Sequence, residues 1–338
     1  MAREHFVIIG NGPAGNAAAF TLRERVPGSR ITILSREAVG EYRPKMLPEY
    51  IAGRVLDSDL FVRPHSVYKE CDIKLRLGQE VVEADFSARQ IILHHNEVVS
   101  FDGLIIATGG KPRVPEPLLA CRGHMLTLKT LADAKLWRTR LADARSVLII
   151  GGDLTSLSLT KSLATMGKEV SFILDPDSFW PVRFDSDVHN EVSLRLRQIG
   201  VKVLEDRHVL KVSCSSENVL MVETDRGAIE AQAVGAFYGL VPDVKFLSRS
   251  GLHIERGILV DEYLETRFSG VYAAGDCAQV YHPELRDYWV SIGSHNAAML
   301  GRTAAINLVG GGIPTRTDAH SLFAVEGIKV NTSWWTEF

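Results

Sequence analysis

The sequence predicts an α/β protein with two doubly wound, dinucleotide-binding units. Two observations carry that reading. A strand, glycine-rich turn, helix and second strand follow one another within about 30 residues at 6–34, and the same order recurs at 146–174. The chain has 338 residues, 46% hydrophobic and 23% charged, which suits about two domains and a sizeable core.

In the first unit the apolar run Phe6-Val7-Ile8-Ile9 leads into Gly10-Asn11-Gly12-Pro13-Ala14-Gly15, then a helix from Asn16 to Arg25 and a strand Ile31–Leu34. Gly10 permits the tight turn, Gly12 lets backbone approach a pyrophosphate, and Gly15 lets helix and strand pack closely. An anion then sits on the free N–H groups and positive dipole of the helix N-terminus, with Glu37 placed to accept a ribose hydroxyl. The competing reading is a glycine turn with no ligand.

The second unit runs from Val147–Ile150 through Gly151-Gly152-Asp153-Leu154-Thr155-Ser156 and a helix to Gly167, then Val170–Leu174. Here the third and sixth positions of the fingerprint are Asp153 and Ser156. An ionised aspartate 4 Å from a phosphate is opposed by about 4 kcal/mol at an effective dielectric near 20. The first site is therefore expected to be intact and the second degenerate.

Two β-hairpins are expected around 90–106 and 209–238, leading into Ala107-Thr108-Gly109-Gly110 and Gly239–Asp243. The tail carries Ser269–Asp276, a helical pattern at about 291–308, three glycines at 310–312 and a strand-like stretch 323–330. A net charge of −3, from 38 basic and 41 acidic residues, lacks the basic field of a nucleic-acid or anionic-membrane binder. No apolar stretch approaches the roughly 18 residues of a membrane span, and the N-terminus runs straight into a strand, so a cytoplasmic protein is expected. Cys71, Cys121, Cys214 and Cys277 lie far apart and form no CxxC. The eleven histidines include no HExxH. Neither a metal site nor a redox cysteine pair is expected.

With these residues in hand, the chain resembles the pyridine nucleotide-disulfide oxidoreductase superfamily. Four landmarks in order carry the resemblance: Gly10–Gly15, Leu104–Gly109, Gly151–Gly167 and Thr266–Asp276. The segment Glu41–Gly53 resembles the one beside the flavin in NADH:rubredoxin reductases, ferredoxin reductases and the flavin part of nitrite reductases. The resemblance implies a glutathione-reductase-like FAD/NAD(P) fold with a discontinuous FAD domain (1–112 and 242–312), an inserted NAD(P)-binding-like domain (113–241) and a shortened C-terminal segment (313–338). It also implies FAD on Gly10, Gly12, Pro13, Ala14, Gly15 and Glu37, with the Val81 backbone at the adenine, Thr108 and Gly109 closing over the cofactor, and Gly275 and Asp276 at the ribityl chain. Ile292 would open a helix aimed at the flavin N1–C2=O edge. Arg43, Pro44 and Lys45 would lie beside the flavin, with Lys45 near N5. Plainer readings stand beside these: Asp276 as a helix N-cap, Thr108 as a turn residue, Trp289 as core, and Arg43 and Lys45 as solvated charges. Cys277, directly after Gly-Asp, offers a thiol nucleophile, but the family motif there uses the aspartate and not the cysteine. Trp334, Trp335 and Phe338 fit either core closure or a partner-binding patch.

Three features depart from that pattern. Asp153 and Ser156 replace glycines; Ser158 stands where relatives carry a glutamate that pairs with a lysine near N5; and few residues follow Cys277. Asp175 is placed to accept ribose hydroxyls and favour NADH, with Arg183 nearby, or simply turns the chain before Pro176. The expected function is an FAD-dependent NAD(P)H:acceptor oxidoreductase whose partner is an iron–sulfur or rubredoxin-like protein. The alternative is the FAD-carrying electron-transfer subunit of a larger complex with a degenerate NAD(P) site, and a flavin-free scaffold is a third reading.

Overall fold

A computed structural model describes residues 3–174, 186–216, 219–284, 286–290, 293–315, 322–325 and 328–331. The chain divides into two compact units, one drawn from 1–42, 61–111 and 241–317, the other from 43–60, 112–240 and 318–338.

Nine strands build the two parallel sheets: β1 (His5–Ile9), β2 (Arg30–Leu34), β3 (Ile73–Arg76), β4 (Gly103–Ile106), β5 (Ser146–Gly151), β6 (Glu169–Leu174), β7 (Lys202–Leu204), β8 (Ala233–Phe237) and β9 (Val271–Ala273). The helices that matter below are α1 (Pro13–Arg25), α2 (Leu47–Ile51), α3 (His65–Glu70), α4 (Leu131–Asp143), α5 (Leu154–Thr165) and α6 (Ser294–Leu308).

The first unit is a five-stranded sheet in the order β9-β4-β1-β2-β3, with every pairing parallel. Parallel strands are covered on both faces, which is why β1 and β4 are continuous apolar runs buried along their whole length. Helices α1 and α6 pack along each other on small residues. A Cβ on Gly301 would collide with the Ala14 carbonyl, and Ala18 and Ala304 are fully buried. A larger residue at this seam would force the helices apart.

The second unit is a four-stranded parallel sheet in the order β7-β6-β5-β8. Gly235 on β8 leaves room for the indole of Trp137 on α4, which is fully buried and donates through Nε1 to the Thr127 carbonyl at 3.0 Å. Helix α4 begins with a capping box: the Thr130 hydroxyl accepts from the Asp133 N–H, and the Asp133 carboxylate accepts from the Thr130 N–H.

Both expected hairpins are subdivided. Gln90–Leu93 pairs antiparallel with Val98–Ser100, but the chain then leaves that sheet and β4 joins the parallel one. The switch is fixed at Asp102, whose carboxylate accepts the His5 N–H at 2.7 Å. In the same way 209–216, 219–224 and 227–231 form an antiparallel meander, while β8 belongs to the parallel sheet. Unbroken apolar runs do not reveal which sheet receives them. The stretch 323–330 is two antiparallel strands, Leu322–Val325 and Ile328–Asn331.

Candidate functional site

In the first unit the turn after β1 is shaped by its glycines. Gly10 has φ +117°, and a side chain there would collide with the Ala107 carbonyl; one at Gly15 would collide with the Gly10 carbonyl. Gly12 is different. Its backbone is extended (φ −81°, ψ −172°) and nothing lies within 4 Å of where its Cβ would be, so the space over the helix N-terminus is open. Pro13 occupies the first turn of α1, where a missing N–H costs nothing. No side chain caps the helix and its first turn carries no acidic residue. The remaining N–H donors and the dipole face that opening.

The loop after β4 closes the other side. The Thr108 Oγ1 is buried with the Cys277 thiol as its neighbour, and Gly109 has φ +64°. The turn after β9 adds Gly275 (φ +79°), whose Cβ position lies 3.2 Å from Ala14 Cβ and 3.5 Å from Ala297 Cβ. One glycine thus seats the Asp276 turn against both α1 and α6. Asp276 does not cap a helix, because the strand Ala278–His282 follows it. Cys277 is fully buried, its sulfur within reach of the carbonyls of Ile106 and Ala274 at 3.3 and 3.4 Å and of the Thr108 hydroxyl, and burial pushes its pKa up. Both facts rule against a nucleophile.

Glu37 lies just past β2, where the Tyr42 hydroxyl donates to its carboxylate at 3.0 Å. Val81 is buried at the start of the strand Val81–Asp85. Trp289 is buried with its ring beside His282, which supports the core reading. Ile292 lies outside the described residues, but α6 starts two positions later behind Gly293 (φ +94°). Asp175, Arg183, Trp334, Trp335 and Phe338 also lie outside the described residues.

Arg43, Pro44 and Lys45 fall in the second unit. Arg43 donates to the Asp59 carbonyl at 2.8 Å, Pro44 opens a short 3-10 turn, and Lys45 is exposed. Helix α2 follows with Glu49, which pairs with Arg54 and lies 3.4 Å from the Ser162 hydroxyl on α5. Arg54 holds the Glu49 carboxyl below its ordinary range. Sequence reasoning missed this cluster; Ser162 lies one helical turn beyond Ser158, so an Arg–Glu pair does sit along that face of α5.

The second turn repeats the first up to Gly151, which has φ +123° and whose Cβ would collide with the Phe237 carbonyl. There the likeness stops. Asp153 is the N-cap of α5: its carboxylate accepts from the Ser156 N–H at 2.8 Å, and the N–H groups of Thr155 and Gly239 also act on it. Ser156 is buried and its hydroxyl donates to the Asp153 carbonyl at 2.6 Å. Burial pushes the Asp153 carboxyl up to about 6, against the pull of those N–H groups and Lys129. The donors that a dinucleotide phosphate would use are already engaged by a carboxylate of the chain itself.

The family described as "Pyridine nucleotide-disulphide oxidoreductase" matches residues 4–300. The chain belongs to that family. It is an oxidoreductase of the FAD- and NAD(P)H-using kind, and Cys71, Cys121, Cys214 and Cys277 are free thiols in the structure. It is 30% identical over 275 residues to the nitric oxide reductase FlRd-NAD(+) reductase of Escherichia coli (strain SE11), covering 81% of this chain and 72% of that one. Among solved structures it resembles the covalent putidaredoxin reductase–putidaredoxin complex, with TM-score 0.86, 25% identity, and 97% and 80% of the two chains covered. The ferredoxin reductase for the CYP199A2 system of Rhodopseudomonas palustris has the same fold, with TM-score 0.85, 23% identity, and 93% and 78% covered. Among the described residues no helix is long and apolar enough to cross a membrane, and no cluster of three or more His, Cys, Asp or Glu could hold a metal.

Proposed function

We propose that the first unit holds FAD and that the chain passes electrons between NAD(P)H and a protein acceptor of the rubredoxin or iron–sulfur type. The supporting observation is the fit of the first unit: the space at Gly12 is open and the helix N-terminus behind it carries no side-chain cap, which suits a pyrophosphate. FAD, when bound, supplies the chemistry, accepting two electrons as hydride and releasing them singly. The N–H groups of Gly12, Ala14 and Gly15 hold the pyrophosphate, Glu37 the adenosine ribose, and the Val81 backbone the adenine. Thr108 and Gly109 close over the cofactor, while Gly275 and Asp276 hold the ribityl chain. The N-terminus of α6 near Ile292 favours negative charge on the flavin. The FAD domain is then 1–112 with 242–312, the inserted domain 113–241, and 313–338 a separate C-terminal segment. The relatives named above include reductases of FlRd and putidaredoxin, which supports a protein acceptor. Four unpaired cysteines support a cytoplasmic location.

One observation favours a second reading, in which this chain is the FAD-bearing subunit of a larger complex and electrons do not enter from a nicotinamide. It is the Asp153 carboxylate on its own helix N-terminus. Anaerobic titration of the flavin-loaded protein with NADH decides between the two. Rapid bleaching of the flavin absorbance supports nicotinamide entry, and no bleaching with normal dithionite reduction supports the subunit. A colourless protein that cannot be reconstituted with FAD overturns both.

A further inference from the structure

Asn16 is fully buried, directly after the last glycine of the first turn. Its Nδ2 lies 2.7 Å from the Asn11 carbonyl, 2.9 Å from the Asn11 side-chain oxygen and 3.2 Å from the Gly12 carbonyl. Three oxygens on one side demand the amide NH2 there, which leaves Oδ1 to accept from the Tyr68 hydroxyl of α3 at 2.6 Å. That hydroxyl is also reached by the Glu41 backbone N–H. Burial, with Glu41 nearby, pushes its pKa up to about 12, so it remains a neutral donor. The ring is wedged against Phe20 and His65.

In a trans peptide the N–H points away from its own carbonyl. With the Asn11 carbonyl drawn inward to Asn16, the Gly12 N–H is turned outward, into the open cradle. The Gly12 carbonyl is drawn in as well, both by the Asn16 side chain and by the Asn16 N–H at 3.0 Å. Pro13 has no N–H to lose. Without these bonds the 11–12 peptide is free to flip and present a carbonyl oxygen to a phosphate, exchanging attraction for repulsion.

We propose that Asn16, braced by Tyr68, is a positioning residue that locks the peptides of the first glycine turn in the orientation that binds a pyrophosphate. This rests on the reading that the first unit holds FAD. The test uses the full chain, stripped of flavin and titrated with FAD by flavin fluorescence, with ADP and adenosine as smaller probes and the ³¹P resonances of bound FAD as a signature. Asn16→Ala is expected to weaken FAD and ADP about 10-fold or more and to shift the ³¹P resonances, with adenosine binding unchanged. Tyr68→Phe, which keeps the ring, is expected to weaken FAD by roughly 3-fold in the same sense. If Asn16→Ala does not fold, Tyr68→Phe alone decides. Wild-type affinities and ³¹P positions in the variants, or an equal loss for ADP and adenosine, overturn the role of Asn16. A wild-type chain that binds no FAD instead overturns the underlying reading.

Discussion

In the first unit the helix after β1 opens at Gly12, where no side chain makes a capping hydrogen bond and the space is open. In the second, the helix after β5 opens at Asp153, whose carboxylate lies on the Ser156 N–H and within reach of Thr155 and Gly239. The entry to both turns is the same: a positive-φ glycine pressed against a carbonyl at the end of the neighbouring parallel strand, Ala107 just past β4 in one and Phe237 of β8 in the other. The difference between the two turns lies in Asp153 and Ser156, which stand where the first has Gly12 and Gly15. A helix N-terminus attracts whatever anion reaches it, and an aspartate in the turn reaches it first.

That contrast can be broken at several points. The largest effect is expected for Gly10→Ala, which puts a side chain at φ +117° into a carbonyl; it should cost more than about 3 kcal/mol and release flavin, as read by thermal unfolding and absorbance. A chain of wild-type melting temperature would contradict the packing described. Copying the second turn into the first with Gly12→Asp should leave the fold intact, since the space there is open, yet weaken FAD roughly 100-fold or more. Retained yellow colour at wild-type affinity would show that the cradle is not the phosphate seat.

The reverse exchange, Asp153→Gly with Ser156→Gly, should tighten NADH about 10-fold, measured by anaerobic titration; unchanged affinity rejects the internal carboxylate as the obstacle. A pH series sharpens this. The Asp153 carboxyl sits near 6 in the folded chain, above its ordinary 3.8, so it becomes neutral as pH falls through about 6. NADH affinity should rise over that window and stay flat in Asp153→Asn. Stability follows the same sign: the contribution of this group is full below about 3.8 and lost as pH rises through about 6. The smallest effect belongs to Ser156→Ala, which removes one hydroxyl bond to the Asp153 carbonyl and should cost about 1 kcal/mol by denaturant unfolding.

The first turn was legible in the sequence because its logic is local: six consecutive residues carry the spacing, and the close approaches at Gly10 and Gly15 and the open space at Gly12 follow it. Asp153 was legible only in part. Its charge spoke against a phosphate, but the Asp-x-x-Ser pattern of an N-cap was also present and foretells where the carboxylate goes. Asn16–Tyr68 and Glu49–Ser162 were not legible, since the partners are separated by 52 and 113 positions and no periodicity joins them. The subdivided hairpins failed for a related reason. A run such as Leu104-Ile105-Ile106 fits a hairpin or a buried parallel strand equally well, and only the neighbour it finds decides.

The seam at Ala14, Gly275 and Gly301 also sets an order of events during synthesis. The glycine turn is made before the 112–240 stretch, yet it faces residues that emerge only after that whole stretch has been made. Domains fold as units as they emerge. The second unit can therefore assemble most of its sheet while the first still lacks β9 and α6, and the glycine turn stays without its partner helix until Gly301 arrives to close against Ala14. An early stop before 271 then yields a turn with the right sequence and no wall behind it.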